Sequence, residues 1–274
     1  MASGSCQGLF CSLRGWYTNT MSGHSHYAQI HRQKGINDAK RGNLFSKIAR
    51  AISIAVKTGG PNPDGNLKLK EAIEKAREAS MPKENVERAI AKGSGEGESL
   101  EEASYEGFGP GGIAVIVEAA TDNKNRTAQE IKNLFERAGG RLAGPGAVSF
   151  NFESKGFLLV KKADDVQTQT LALIDAGAED IQESEDGLEV YVAPDKLGQI
   201  HKSLSDAGFN FIQTELQMKP RNLQVINEVG EAGRAIKFLD SLDEQEDVQK
   251  VFSNLEIPDG VVAQLKTEDL KLKS

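Results

Sequence analysis

Beyond residue 11 the chain contains no cysteine. Its only two thiols, Cys6 and Cys11, sit near the start, so the body of the protein has no disulfide framework and no thiolate to serve as nucleophile or metal ligand. No run of roughly 18 or more apolar residues occurs, which excludes a membrane-spanning helix and leaves no reason to expect a membrane partner. Recognisable catalytic signatures are missing too. There is no H-E-x-x-H, no serine-nucleophile motif, no paired-carboxylate signature and no G-x-x-x-x-G-K-[ST]. The expectation is a chain that is not an enzyme, with no cofactor and no small-molecule substrate. Aromatic residues make up only 6%, but 38% hydrophobic and 27% charged residues describe an ordinary globular composition. At 274 residues there is length for two or three domains.

What is present is a basic island in an acidic chain. Between Ser22 and Gly60 lie seven Lys or Arg (Arg32, Lys34, Lys40, Arg41, Lys47, Arg50 and Lys57) against the single acid Asp38, although the whole chain carries a net charge of -7. Residues 21–99 hold 14 basic and 9 acidic groups, whereas residues 100–274 hold 18 and 31. A molecule polarised in this way can turn one domain toward a polyanion and keep the rest away from it.

The basic stretch reads as helical. Leu44, Phe45, Ile48, Ile52, Ala55 and Val56 recur at helical spacing before the stop signal Gly59-Gly60-Pro61. At 100° per residue from Lys40 they fall between about 40° and 160°, while Lys40, Lys47, Arg50 and Lys57 fall between about 260° and 360°. One side therefore forms a core and the other carries charge; Arg41 lands in the apolar arc. Two shorter helices follow, one capped by Asn66 and one opening at Pro82, and Gly93 to Gly97 reads as a linker.

Beyond the linker, strands alternate with helices. Strands are expected at 113–119, 147–152, 156–161, 180–183, 188–192, 209–217, 223–226 and 248–253, with helices at 127–138, 165–175, 195–206 and near 231–242. Residues 156–218 spell βαββαβ, the ferredoxin-like order. The flanking elements supply a second unit of that order, split by the first. The predicted fold class is α+β: a helical N-terminal domain followed by two ferredoxin-like βαββαβ domains, one inserted in the other. Boundaries are expected at 21–97 for the helical domain, 98–155 plus 219–257 for the split domain and 156–218 for the insert, with 258–274 a frayed tail.

Two constellations invite chemistry. Lysines and arginines along a helix neutralise phosphates, and the preceding His24, Ser25, His26, Tyr27, His31, Arg32 and Lys34 interleave an aromatic ring and hydrogen-bonding groups with cations, a mixture suited to unpaired bases and RNA phosphates. The alternative is a solvated helix face. Three of these histidines could suggest a metal, but no thiolate or carboxylate follows at a usual interval and the surrounding cations oppose a divalent ion, so no metal is expected. The run Gly107 to Gly112 matches G-x-G-x-x-G, yet it precedes a strand rather than opening a helix, which points to a tight turn. In the segment Thr121 to Thr127, Lys124 and Arg126 are candidates for a secondary phosphate contact, against the alternative of a capped helix start. His201, alone on a helix, is expected to be structural.

These residues also carry a resemblance. Gly-His-Ser-His-Tyr-Ala-Gln-Ile (23–30), Asp-Ala-Lys-Arg-Gly-Asn-Leu-Phe-Ser-Lys (38–47), Met-Pro-Lys-Glu-Asn-Val-Glu-Arg-Ala-Ile (81–90), Tyr-Glu-Gly-Phe-Gly-Pro-Gly-Gly (105–112) and Thr-Asp-Asn-Lys-Asn-Arg-Thr (121–127) resemble the YebC family. The likeness runs on through Gly-Gly-Arg-Leu (139–142) and Asp-Val-Gln-Lys-Val-Phe-Ser-Asn (247–254). The family also contains the mitochondrial translational activator of cytochrome c oxidase subunit I. The resemblance implies a three-domain, non-enzymatic regulator of gene expression. Some members are described as DNA-binding transcriptional regulators, and others resemble translation factors that help the ribosome through difficult sequences. It maps a nucleic-acid-binding segment onto His24, Ser25, Tyr27, Arg32, Lys34, Lys40, Arg41 and Lys47. His26 and His31 depart from the family pattern, which favours basic residues there, and Tyr27 stands where Trp is frequent. Replacing Lys by His removes most of a charge at neutral pH.

The expected partners are therefore the ribosome, rRNA or tRNA, with DNA as the alternative. The expected location is the bacterial cytoplasm, or an organellar matrix if residues 1–20 are a presequence rather than a leader or an upstream start. The resemblance begins at Met21, so sequencing the mature N-terminus is expected to find Met21 or Ser22; recovery of that start from bacterial cells rules out the presequence.

Overall fold

The structure is a computed structural model that describes residues 38–95, 100–184 and 186–272, with side chains from 42 onward except at 67 and 266–272. The expected leader and the segment from His24 to Lys34 lie outside the described residues. Three helices come first: α1 (Asp38–Gly59), α2 (Leu67–Glu78) and α3 (Lys83–Ser94). Ile48, Ile52, Ala55 and Val56 of α1 meet Leu69, Ala72, Ala76, Met81 and Ala89, as the apolar arc requires. Asn66 joins two of these helices. Its amide donates to Ala55 O at 2.6 Å and Gly60 O at 2.9 Å, and its carbonyl accepts from Leu69 N at 3.1 Å, capping α2. Gly59 must be glycine here, because a Cβ would lie 2.7 Å from the Asn66 amide.

A four-stranded antiparallel sheet of order β3–β1–β2–β9 follows, built from β1 (Glu101–Phe108), β2 (Ala114–Thr121), β3 (Arg141–Ala143) and β9 (Val248–Ser253). Helices α4 (Lys124–Arg137), α7 (Val229–Asp243) and α8 (Asp259–Leu272) belong to the same body, with the short parallel pair β8 (Gln224–Val225) and β10 (Leu255–Glu256). Its core joins Ile113, Val115, Val117, Ile131, Phe135, Phe238 and Leu239. The inserted unit runs β4 (Phe152–Val160), α5 (Val166–Asp175), β5 (Asp180–Glu183), β6 (Leu188–Val192), α6 (Leu197–Asp206) and β7 (Phe211–Pro220), with sheet order β5–β6–β4–β7. That is the ferredoxin-like order. Strands β4 and β7 pair from Phe152↔Pro220 to Val160↔Phe211, so their outer ends form the ribbon that connects the insert to the first sheet. Phe152 and Met218 of this ribbon pack against Ala114, Ile116 and Phe252. Among the described residues no helix is long and apolar enough to cross a membrane.

Three local expectations need correction. The strand expected at 147–152 is a turn and a short 3-10 segment (Ser149–Asn151). The backbone N-H groups of Gly146, Val148 and Ser149 donate to the Glu106 carboxylate at 2.8 to 2.9 Å, so they are not available to a ladder. The position in the sheet is filled instead by β3 and by β1, which the sequence reading missed because Glu101-Glu102-Ala103-Ser104 lacks an apolar alternation. The split domain consequently starts as a hairpin, ββαβ and then αβ, and closes its sheet with β9 beside β2. The tail after Pro258 is not frayed through its length. It forms α8, and Val261 and Val262 are buried in the core of the split domain. As expected, Gly107 to Gly112 makes a tight turn, with Gly111 and Gly112 at positive φ and Gly109 in close contact with Phe238.

The three bodies meet at Glu215 on β7, which is only 8% exposed. Lys75 of α2 approaches its carboxylate at 3.2 Å and Lys250 of β9 at 2.9 Å, while Gln213 and Gln217 donate at 2.7 and 3.0 Å. Burial on its own would raise this carboxyl group. The Lys250 and Lys75 charges, with the hydrogen bonds from Gln217 and Lys250, outweigh it and hold the pKa at about 2, against an ordinary 4.5. Because the folded value is depressed, the stabilisation is fully present above about pH 4.5 and is lost as pH falls toward 2. Glu215→Gln is expected to lower stability at neutral pH by on the order of 3 kcal/mol and to weaken the acid dependence in that window, measured by chemical denaturation at several pH values.

Candidate nucleic-acid interface

The middle of the charged side of α1 is not a solvated face. Lys47, with 14% of its side chain exposed, donates to the Asp243 carbonyl and lies 3.7 Å from the Asp243 carboxylate. Burial is the largest influence on its ammonium and lowers its pKa, with Asp243 opposing. One turn on, Arg50 donates to Glu246 O at 2.9 Å, pairs with the Glu246 carboxylate at 2.8 Å and pairs also with Asp247. Asn43, a turn earlier, donates to Glu244 O at 2.6 Å. The middle of the basic face is thus laid on the acidic segment between α7 and β9.

Asp247 is the hub of this contact. Its side chain is 3% exposed and accepts from Thr127 Oγ1 at 2.6 Å and Arg126 Nη2 at 3.0 Å, with Thr121 Oγ1 at 3.4 Å and Arg50 on the other oxygen. Its burial would raise the pKa. The hydrogen bonds from Thr127 and Arg126, with the charges of Arg50 and Arg126, overcome that and hold it below the ordinary carboxylate range. Arg126 also pairs with Asp122 at 2.7 Å, and its pKa is raised chiefly by its hydrogen bond to Asp247.

The segment Thr121 to Thr127 therefore does two structural jobs. Asn123 caps α4 by accepting from Arg126 N at 3.1 Å, and Thr121, Arg126 and Thr127 clasp Asp247. Lys124 pairs with Glu101 at 2.6 Å. The two candidates for a secondary phosphate contact are each held by carboxylates.

The sequence-derived candidates are distributed as follows. His24, Ser25, Tyr27, His31, Arg32 and Lys34 lie outside the described residues. Lys40 and Arg41 occupy the first turn of α1. Lys47 and Arg50 face inward onto residues 243–247, and Lys57 reaches Leu100 O at 3.2 Å at the far end of the helix. The structure brings Arg50 and Arg126 to one carboxylate, a pairing not anticipated from the sequence. Two signals could have exposed it: Ile54 falls at about 320° in the charged arc yet is buried, and Asp240 to Asp247 concentrates five acids in eight residues. Among the described residues no group of His, Cys, Asp or Glu is arranged to hold a metal ion. His201 stacks on Phe211 at 4.4 Å between ring centres, and its burial lowers its pKa, which fits a structural role.

A shallow groove lies beside this contact, between α1 and α3. It has a volume of about 340 Å³ and is walled by Phe45, Ser46 and Arg50 on one helix and by Asn85, Arg88 and Lys92 on the other.

Residues 25–96 match the family described as TACO1/YebC protein N-terminal domain, and residues 100–255 match TACO1/YebC second and third domain. The chain belongs to the TACO1/YebC family. A relative from Dictyoglomus turgidum is 44% identical over 250 residues, covering 89% of this chain and 100% of the relative, and one from Aquifex aeolicus is 44% identical over 245 residues, covering 88% and 98%. Each is named "Probable transcriptional regulatory protein". The crystal structure of a conserved hypothetical protein from Aquifex aeolicus superposes with a TM-score of 0.78 at 44% identity, covering 86% of this chain and 98% of that one. The helical and α/β units of this family thus include both partners of the Asp247 contact.

Removing the Asp247 carboxylate leaves Arg50, Arg126 and Thr127 without their shared acceptor. Asp247→Ala is expected to cost about 3–5 kcal/mol of stability in urea denaturation of the full chain, while Lys83→Ala, which touches only the exposed Glu87 pair, is expected to change it by less than about 0.5 kcal/mol.

Proposed function

We propose that the protein is a non-enzymatic regulator of gene expression that binds nucleic acid, and that it acts on translation at the ribosome by contacting rRNA or tRNA through its helical domain. The observation that carries this reading is the use made of the basic face. Lys47 and Arg50 are engaged by residues 243–247, so we assign the polyanion to Arg32 and Lys34 before α1, to Lys40 and Arg41 in its first turn and to the exposed Arg88 of α3. The footprint is narrow and sits on a body whose residues 100–274 carry 31 acids against 18 bases. Such a molecule suits local contact with phosphates of a folded RNA, because a long duplex wrapped along it would run against the acidic domains.

A second reading is a DNA-binding transcriptional regulator, which the printed names of the relatives favour. Base readout in a major groove calls for a helix presenting base-contacting side chains outward. In α1 the middle of the charged side is occupied by the protein itself, which speaks against that helix as the reader.

Crosslinking and sequencing of bound nucleic acid from cells, with sucrose-gradient sedimentation alongside, separates the two. Recovery of rRNA or tRNA and cosedimentation with ribosomes is expected; recovery of promoter DNA alone, with no ribosomal association, refutes the translation reading. The cations divide by role in a second test. Lys40→Glu with Arg41→Glu is expected to weaken RNA binding at least tenfold and to flatten its salt dependence while leaving stability within about 0.5 kcal/mol. Lys47→Glu is expected instead to lower stability, since it places a carboxylate against Asp243.

A further inference from the structure

The groove between α1 and α3 borders the domain contact at one edge, where Arg50, Glu246 and Leu100 line it. Its chemistry is divided along its depth. Phe45 and Met81 supply an aromatic and a thioether surface, Ser46 and Asn85 supply hydrogen-bonding groups, and Arg88 and Lys92 bring two cations from successive turns of α3. Arg88 is exposed. At one end the helices touch, because Gly93 lets α3 approach Ser53 so closely that a Cβ would lie 2.5 Å from the Ser53 carbonyl oxygen, and Ser53 Oγ donates to Ala89 O at 2.9 Å. From there the groove runs between Phe45, Ser46 and Ala49 on one side and Met81, Asn85 and Arg88 on the other. Among the described residues one carboxylate lines it, that of Glu246, which is paired with Arg50 at 2.8 Å.

A purely apolar cleft would fit a peptide side chain, and a purely cationic one a free phosphate. This groove offers an apolar and aromatic surface, amide and hydroxyl groups beside it and cations from α3, in a volume of about 340 Å³. Those are the three needs of one unstacked nucleotide: a surface for the base, hydrogen bonds for its edge or sugar, and positive charge for the flanking phosphates. The α1 wall lies about one turn along the helix from Lys40 and Arg41, so a strand crossing the start of α1 can continue into the groove. We infer that the groove between α1 and α3 receives a single unpaired nucleotide of an RNA strand, with the base against Phe45 and Met81 and its phosphates at Arg88 and Lys92. This rests on the RNA reading given above and deepens it by naming where the strand is held.

The test uses the full chain and a single-stranded RNA 12-mer carrying 4-thiouridine, with photo-crosslinking mapped by mass spectrometry and affinity measured by fluorescence anisotropy. Crosslinks are expected within residues 45–49 or 81–88. Arg88→Glu with Lys92→Glu is expected to weaken binding at least tenfold and to reduce the salt slope by about 1.4, the loss of two phosphate contacts on a single strand. Ser46→Trp, which fills the groove without altering charge, is expected to abolish those crosslinks, and Asn85→Ala to weaken binding about threefold to tenfold in a chain whose denaturation midpoint is unchanged. Wild-type binding with crosslinks confined to other segments, and all three groove variants binding at full strength, overturns the groove while leaving the RNA reading intact. Failure of the unaltered chain to bind any RNA overturns both.

Discussion

Asp247 is a carboxylate removed from water and shared between two guanidinium groups, Arg50 of the helical domain and Arg126 of the split α/β domain. A buried charge of this kind is stabilising only while its partners are in place, and loss of either side leaves the other desolvated and unmatched. The relative position of the two domains therefore depends on it. Around it lie further contacts: Lys47 on Asp243, Asn43 on the Glu244 carbonyl, and Thr121 and Thr127 on the Asp247 carboxylate itself, in one coupled network with the arginines. Glu215 repeats the device at Lys250, three residues along the chain from Asp247, where Lys75 and Lys250 fix the insert against the other two domains.

This arrangement changes what the basic island is for. A helix with core-forming residues on one side and cations on the other suits a surface helix that meets a polyanion. Here the protein supplies much of the polyanion itself, in the five acids between Asp240 and Asp247. The positive charge of Lys47 and Arg50 serves to dock the helical domain. The groove between α1 and α3 lies at the edge of that contact, where the docked Arg50 gives way to Arg88 and Lys92.

Much of the fold was legible because local rules agreed with the tertiary outcome. The apolar arc of α1, the Asn66 cap, the βαββαβ order of residues 152–220 and the strand at Val248–Ser253 follow from periodicity and capping alone. Where those rules failed, a distant polar group had taken over. Residues 147–152 have the apolar character of a strand, but their N-H groups are claimed by Glu106, some forty positions away. The strand holding Glu106 was itself hidden by its acids. The polar tail after Pro258 forms a helix because Val261 and Val262 find the core of the split domain, a surface that no local window reveals.

The sequence by itself determined the elements, the segregation of charge and the membership of a family, since each is written in short-range patterns and in residue identities. Which cations the protein's own acids engage was decided only by the tertiary structure. Lys40, Lys47, Arg50 and Lys57 share one arc of one helix, and periodicity treats them alike. Ion pairing depends on proximity between charges far apart in the chain, and the carboxylates that claim Lys47 and Arg50 arrive from nearly two hundred residues away.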